Sequence, residues 1–170
     1  MRLPYVTDPP PAATPEEEAI IDAVRARRAP RPLQPLDLTL LHSPPVTLGW
    51  NHFLSAIRTQ TTLPADIREL AICRVAVVNR AWYEWMHHAP LASAAGVTPA
   101  GMDVCKDPAP LVLEAGSPEG SGLTEKQWLV LCYADEMTRS VEIACYNCVS
   151  RFLVALDIGE KNGTGPDVAH

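Results

Sequence analysis

The sequence predicts an all-α protein. Apolar residues recur at the three- and four-residue steps of amphipathic helices, and helix-start signals repeat along the chain. No segment shows the strict alternation of a half-buried strand, and no internal repeat is visible. With 170 residues, 47% of them hydrophobic, the chain can bury one core and is not of the disordered class. We therefore expect a single-domain helical bundle.

Three helices are predicted in the first third of the chain. Residues 1–13 are rich in proline and should form an extended arm. Thr14-Pro15-Glu16-Glu17 combines an N-cap, a proline at the first helical position and acids in the first turn, so a helix should run to about Arg27. Leu36–Leu41 should form a brief helix, and Ser43-Pro44-Pro45 should open the third.

Two central helices follow. Leu63-Pro64 opens a helix to about Asn79, and because it is apolar nearly all round from Leu70 to Val78 it should be buried. The next should span Trp82–Ala95, with Gly96 as its C-cap.

The last third should hold a shorter helix from Thr98-Pro99, a loop over residues 106–122, and a capping box at Thr124–Gln127. Two further segments with apolar residues at helical spacing follow, separated only by Ser140–Cys145. The sequence allows either two helices or one fused helix there. As domains we expect an arm and first helix over 1–30, the helical domain over 31–160, and a flexible tail over 161–170.

Composition excludes several classes. A net charge of -6 argues against a nucleic-acid partner, and no apolar run approaches the ~20 residues of a membrane span. Met1–Tyr5 shows no apolar signal core, and five irregularly spaced cysteines fit free thiols. We expect a cytoplasmic protein.

The candidate site begins with Glu84, His87 and His88, which share a helix face at i, i+3 and i+4. A carboxylate beside an imidazole is a tunable acid–base pair, although it can equally be a surface pair of little consequence. The neighbouring Trp82, Trp85 and Met86 indicate burial, which favours the functional interpretation. Glu69, on the central helix, is either a desolvated carboxylate with a raised pKa or an ion-pair partner of Arg68 or Arg74.

Two further motifs carry weaker signals. Cys145-x-x-Cys148 falls on an apolar helical stripe, so we interpret both cysteines as core residues. Glu84-x-x-His87 matches half of a di-iron pattern, but the second copy that such a site needs is missing. No metal and no cofactor is expected.

Two segments resemble one family. Leu63-Pro-x-x-x-Arg-Glu-Leu-Ala-Ile72 and Tyr83-Glu-Trp-x-x-His-x-x-Leu-Ala-x-x-Ala-Gly96 resemble the carboxymuconolactone decarboxylase-like family, which includes the alkyl hydroperoxidase D enzymes. The resemblance covers about residues 36–105 and returns at 123–139 and 146–157. It implies an all-helical fold of the alkyl hydroperoxidase D type and a homo-oligomer, as a dimer, trimer or hexamer.

The resemblance also assigns positions. The glutamate and the final histidine of the peroxidase site fall on Glu69 and His88, whereas its two cysteines fall on Ala81 and Glu84. Because peroxide reduction needs both thiols, the resemblance implies a non-redox branch.

The predicted function is acid–base catalysis on a small carboxylated or enolisable substrate, most simply as a decarboxylase and alternatively as an isomerase or cyclase. Glu84 and His88 should exchange the proton, with Glu69 orienting His88 or acting as a second acid and His87 beside them. Candidates for holding the substrate are Arg68, Arg74, Trp85 and Tyr83. Two alternatives stay open: a thiol peroxidase that uses Cys145 and Cys148, and a non-catalytic homo-oligomeric binding protein.

Overall fold

The computed structural model describes residues 4–155, with side chains to residue 140. Within that range the chain forms seven α-helices and no strand, which confirms the all-α prediction. The helices are α1 (Pro15–Arg28), α2 (Pro35–Leu40), α3 (Pro44–Thr59), α4 (Ala65–Val78), α5 (Trp82–Ala94), α6 (Pro99–Lys106) and α7 (Glu125–Ala155). No helix of the described range has the length and apolar character needed to cross a membrane.

The chain divides into two compact units, the first ending at Thr62 and the second beginning at Leu63. In the first unit, α3 packs against α1 and α2. The buried carboxylate of Asp37 joins α2 to α1, because Arg28 donates to it through Nε at 2.7 Å and through Nη2 at 2.9 Å.

In the second unit α4 is the central helix, as predicted, and packs against α5, α6 and α7. Its Leu70 and Cys73 are fully buried and form a core with Ala92 of α5 and Leu131 of α7. This core fixes α4 on several sides, so polar groups carried by α4 are held in place without being exposed.

The connection between α4 and α5 takes three residues, Asn79–Ala81. Arg80 adopts a left-handed backbone with φ 56°, and the amide of Ala81 donates to the carbonyl of Ala76 at 2.8 Å. The short turn makes α4 and α5 neighbours along their length. At the other end of α5 the predicted cap is present, since Gly96 has φ 101°.

In the described part of the C-terminal third, one helix spans both of the apolar stripes seen in the sequence. The segments on either side of Ser140–Cys145 are fused in α7, which is 31 residues long. Its predicted capping box is confirmed: Gln127 N donates to Thr124 Oγ1 at 3.2 Å, and Thr124 N donates to Gln127 Oε1 at 3.0 Å. The predicted loop before it contains a single 3₁₀ turn, Leu113–Ala115.

Candidate active site

The centre of the candidate site is a buried pair between neighbouring helices. Oε2 of Glu69, on α4, lies 2.6 Å from Nδ1 of His88, on α5. Both side chains are about nine-tenths buried. Because a carboxylate only accepts hydrogen bonds, Nδ1 of His88 is the donor in this contact.

Glu69 also meets one of its two predicted ionic partners. Its second oxygen, Oε1, accepts a hydrogen bond from Nε of Arg68 at 3.1 Å. The guanidinium therefore contacts one carboxylate oxygen of Glu69 and the imidazole of His88 contacts the other. The interpretation of Glu69 as an ion-pair partner is therefore met by Arg68.

Glu84 lies one turn before His88 on the same face of α5. Burial raises the pKa of the Glu84 carboxyl above its ordinary value, and the charge of His88 partly opposes that rise. The charges of Glu69 and Glu84 both add to the rise in the pKa of the buried Cys73 thiol. Glu84 thus shares a helix face with His88, and Glu69 contacts His88 from the neighbouring helix.

His87 faces a different environment. Its Nδ1 lies 2.8 Å from the carbonyl oxygen of Tyr83, and the two rings are in contact with centroids 4.4 Å apart. This local contact along α5 does not join His87 to the Glu69–His88 pair. His87 and Tyr83 therefore form their own surface pair, and neither is brought to the site by this geometry.

The aromatic face of α5 is less buried than the sequence predicted. Trp82 is 54% exposed and Met86 is 60% exposed, so the expectation of burial is wrong for both. Of Trp82, Trp85 and Met86, it is Trp85 that packs against the core of the second unit. The physical reason is that α5 directs one face at α4, and Trp82 and Met86 lie on the other.

Arg74 was predicted as a substrate contact, but its guanidinium lies inside the protein. It is completely buried, and its Nε donates to Oδ1 of Asp135 at 2.8 Å. Its terminal nitrogens donate to the carbonyl oxygens of Cys105, Asp107 and Ala109. Since these contacts occupy the guanidinium inside the protein, the geometry does not support Arg74 as a substrate ligand. Of the two arginines only Arg68 remains a candidate.

Asp135 is the structural residue that sequence reasoning missed. It accepts hydrogen bonds from Arg74, from Nε of Arg139 at 2.9 Å and from the amide of Leu111 at 3.1 Å. A signal was present, because Asp135 continues the buried i, i+3, i+4, i+7 stripe that begins at Trp128. A carboxylate on such a stripe requires a buried partner.

The described thiols are poor nucleophiles. Burial raises the pKa of Cys73 and that of Cys105 to about 12, and it raises the pKa of Cys132 as well. The side chains of Cys145 and Cys148 lie outside the described residues; their backbone lies well inside α7, away from its N-terminus. Among the described side chains, no group of three histidine, cysteine or acidic residues is placed to hold a metal ion.

Fold and site together define a class: an all-α protein with a carboxylate–imidazole pair buried between adjacent helices. Residues 44–104, from the start of α3 into α6, match the model of the carboxymuconolactone decarboxylase family. The predicted resemblance to this family is confirmed, and the matched segment contains Glu69, Glu84 and His88. Neither the curated proteins nor the solved structures include a significant match to the chain.

Proposed function

We propose that this protein is a cofactor-independent enzyme that moves protons on a small carboxylated or enolisable substrate. Decarboxylation is the reaction that we favour, with isomerisation and cyclisation as related outcomes of the same step. The observation that carries the proposal is the 2.6 Å contact between Glu69 Oε2 and His88 Nδ1 in a buried setting. A carboxylate that fixes one imidazole nitrogen prepares the other to take or give a proton.

In the proposed mechanism Glu69 is the positioning group and His88 the proton-exchanging group. Loss of CO₂ from an activated carboxylate leaves an electron pair on carbon as an enolate, and the enolate is completed by protonation at carbon. Glu84 suits the second step, because a carboxyl whose pKa is raised by burial holds its proton closer to neutral pH. His88 then passes a proton taken up from solvent water to Glu84, which replaces the proton consumed when carbon is protonated.

A substrate carboxylate needs a cation, and Arg68 is the candidate that we place in this role. Its side chain is about one-fifth exposed, and its Nε contacts Glu69. A guanidinium presents several donors in one plane, so one edge can contact Glu69 while another contacts a carboxylate of the substrate. Trp85, packed at the edge of the core, would supply an apolar wall.

Thiol peroxidase chemistry has less support. It requires one thiolate that attacks peroxide and a second thiol that resolves the sulfenic acid. Ala81 and Glu84 stand at the two positions that the resemblance assigns to those thiols. Cys73 and Cys105, with pKa values raised to about 12, are protonated at neutral pH.

The proposal can be tested without knowing the natural substrate. The protein is incubated in D₂O with a panel of β-keto acids and carboxylated lactones, and NMR records loss of CO₂ and exchange of the proton next to the carbonyl. With a compound that reacts, Glu84→Gln and His88→Ala should each lower kcat by about 10²-fold or more. Glu119→Gln and His52→Ala, both exposed and outside the site, are matched controls that should retain activity.

Full activity in both Glu84→Gln and His88→Ala would contradict the mechanism. A panel in which nothing reacts would instead favour the binding-protein alternative. One observation supports that alternative: a cavity of about 670 Å³ lies beside α7, with apolar walls that include Leu111, Leu113, Leu129 and Tyr133. A binding protein would retain an apolar compound in equilibrium dialysis and release it chemically unchanged.

A further inference from the structure

The cavity beside α7 lies apart from the Glu69–His88 pair. Its volume of about 670 Å³ falls within the range of about 300–1,000 Å³ that is usual for small-molecule sites. It is enclosed between α7 and the Leu111–Glu114 segment. All of its lining residues belong to the second unit, so its walls are described within that unit alone. We call this space the α7 cavity.

The α7 cavity combines apolar walls with charge of one sign. Two of its lining residues are acidic, Glu114 and Glu136, and none is a lysine, arginine or histidine. Glu136 accepts a hydrogen bond from Oγ of Ser140 at 3.2 Å. Among the described side chains, no ion pair involves either glutamate. The cavity therefore favours a ligand that has both apolar surface and positive charge. The remaining lining residues are Leu111, Val112, Leu113, Leu129, Cys132 and Tyr133.

The segment that forms one wall runs antiparallel to α7. The amide of Leu111 donates to Oδ2 of Asp135 at 3.1 Å. Two residues later, the carbonyl of Leu113 accepts from Nε1 of Trp128 at 3.4 Å. The segment is thus anchored to α7 at two points, and its direction is opposite to that of the helix.

This direction separates the two carboxylates. Glu114 follows Leu113 and so lies toward the Trp128 end of the cavity, whereas Glu136 lies next to Asp135 at the other end. Trp128 and Glu136 are eight residues apart on α7, which is a rise of about 12 Å. The two charges are therefore separated by a distance on the order of 10 Å, with apolar wall between them.

Such a separation selects the kind of cation. A single metal ion cannot be shared, because its oxygen ligands lie about 2.0–2.6 Å from it. A cation with one charged group uses only one of the carboxylates. A molecule with a positive group at each end of an apolar chain uses both carboxylates and the wall between them.

We propose that the α7 cavity binds a linear aliphatic diamine or polyamine, with one ammonium group at Glu114, another at Glu136 and the methylene chain along the apolar wall. With C–C bonds of about 1.5 Å, an extended chain of eight methylenes has a span comparable to the separation of the two charges. The proposal goes beyond the proposed function, because it concerns a second site and a different class of ligand.

The first experiment measures the binding of four probes to the full chain by isothermal titration calorimetry at neutral pH and low salt. The probes are octane-1,8-diamine, octylamine, butane-1,4-diamine and butylamine. Octane-1,8-diamine should bind about twofold to fivefold more tightly than octylamine, the usual scale of one exposed ion pair. A merely apolar cavity would give the opposite order, because the second ammonium would have to leave water. The preference for the diamine should be smaller for the four-carbon pair, which is too short to reach both ends.

The second experiment assigns the charges. Glu114→Gln and Glu136→Gln should each weaken the binding of octane-1,8-diamine by about twofold to fivefold and change that of octylamine less, since a monoamine can use the remaining carboxylate. The double variant should bind octylamine more tightly than the diamine. Glu119→Gln is the matched control: it is exposed, removes the same charge from the same loop and lies outside the cavity, so the affinities should not change.

The third measurement tests the apolar wall. Leu129→Gln should weaken the binding of the diamine and of octylamine by a similar factor, because both chains lie along that wall, and far-UV circular dichroism should show an unchanged fold. Absence of binding by octane-1,8-diamine, octylamine binding at least as tightly, an equal diamine preference at four and eight carbons, or an equal effect of Glu119→Gln and Glu114→Gln would each overturn the proposal. Because the readout is binding, such a failure would leave the acid–base proposal untouched.

Discussion

Asp135→Ala should lower the free energy of unfolding by about 3–5 kcal/mol, because it leaves the Arg74 guanidinium buried without its counter-charge. Arg74 is completely buried, and two of its nitrogens lie 2.8 and 2.5 Å from the same oxygen of Asp135. The substitution removes that oxygen and also the acceptor of the Leu111 amide. Because Arg74 lies on α4, the loss should also loosen the helix that carries Glu69.

A graded series follows from the same contacts. Arg139→Gln removes only the more exposed partner of Asp135. Because the Arg139 side chain is one-third exposed, this substitution should lower the free energy of unfolding by about 1 kcal/mol or less. Asp135→Asn keeps the shape of the side chain and loses the charge, so its cost should fall between the two. A series in this order identifies charge compensation as the cause rather than lost packing.

The pH dependence has a definite sign. Burial alone would raise the pKa of Asp135, but hydrogen bonds from Arg139, Leu111 and Arg74 outweigh it and hold the pKa below its ordinary value. A carboxyl with a lowered folded-state pKa contributes stability that is present above its unfolded-state pKa and is lost as the pH falls toward the folded-state value. The gap between wild type and Asp135→Asn should therefore be constant near neutrality and should narrow below about pH 4.

The assay is urea unfolding followed by far-UV circular dichroism at fixed protein concentration and several pH values. His42→Ala, an exposed residue of the first unit, provides the baseline for an unrelated substitution. A cost below about 1 kcal/mol for Asp135→Ala, together with parallel pH profiles for wild type and Asp135→Asn, would refute the assigned role of the buried pair.

Three further predictions concern the site. Purified protein should show no peroxidase turnover with cumene hydroperoxide and a thiol reductant; turnover abolished by Cys145→Ser or Cys148→Ser would establish the alternative instead. Cys73 and Cys105 should resist a thiol-specific reagent in the native state at pH 8 and react once urea unfolds the chain, since burial raises their pKa values to about 12; rapid native labelling would contradict this. On a reacting substrate, Glu69→Gln should lower kcat by about tenfold to a hundredfold with little change in KM, as expected for loss of a group that orients another; a selective rise in KM would point to substrate binding.

The elements of the fold are strongly encoded in local sequence. Helix starts at Pro15, Pro44, Pro99 and Glu125 follow from caps, first-turn prolines and a capping box, which act over three or four residues. The fusion of the last two apolar stripes into α7 was not decided by local sequence. Ser140–Cys145 contains no glycine or proline that would end a helix, but the sequence still left two helices open, and the continuous backbone of α7 shows one.

The candidate site likewise has one part that local sequence predicts and another that depends on tertiary structure. Helical spacing alone places Glu84 and His88 on one face, because they are one turn apart. The relation of His88 to Glu69 spans 19 residues and a turn, and in the sequence it was available only through resemblance. Composition also could not distinguish the fates of Arg68 and Arg74, which lie on one helix and were equal candidates.

The sequence by itself therefore determined the fold class, most helix boundaries and the face of α5 that carries Glu84 and His88. Tertiary structure decided that Glu69 contacts His88 and that Trp82 and Met86 are exposed. It also decided that the Arg74 guanidinium forms its hydrogen bonds with Asp135 and with backbone carbonyl oxygens inside the protein. The physical reason is range. Caps and helical periodicity act within one or two turns, whereas burial and ion pairing depend on which distant helix lies against each face.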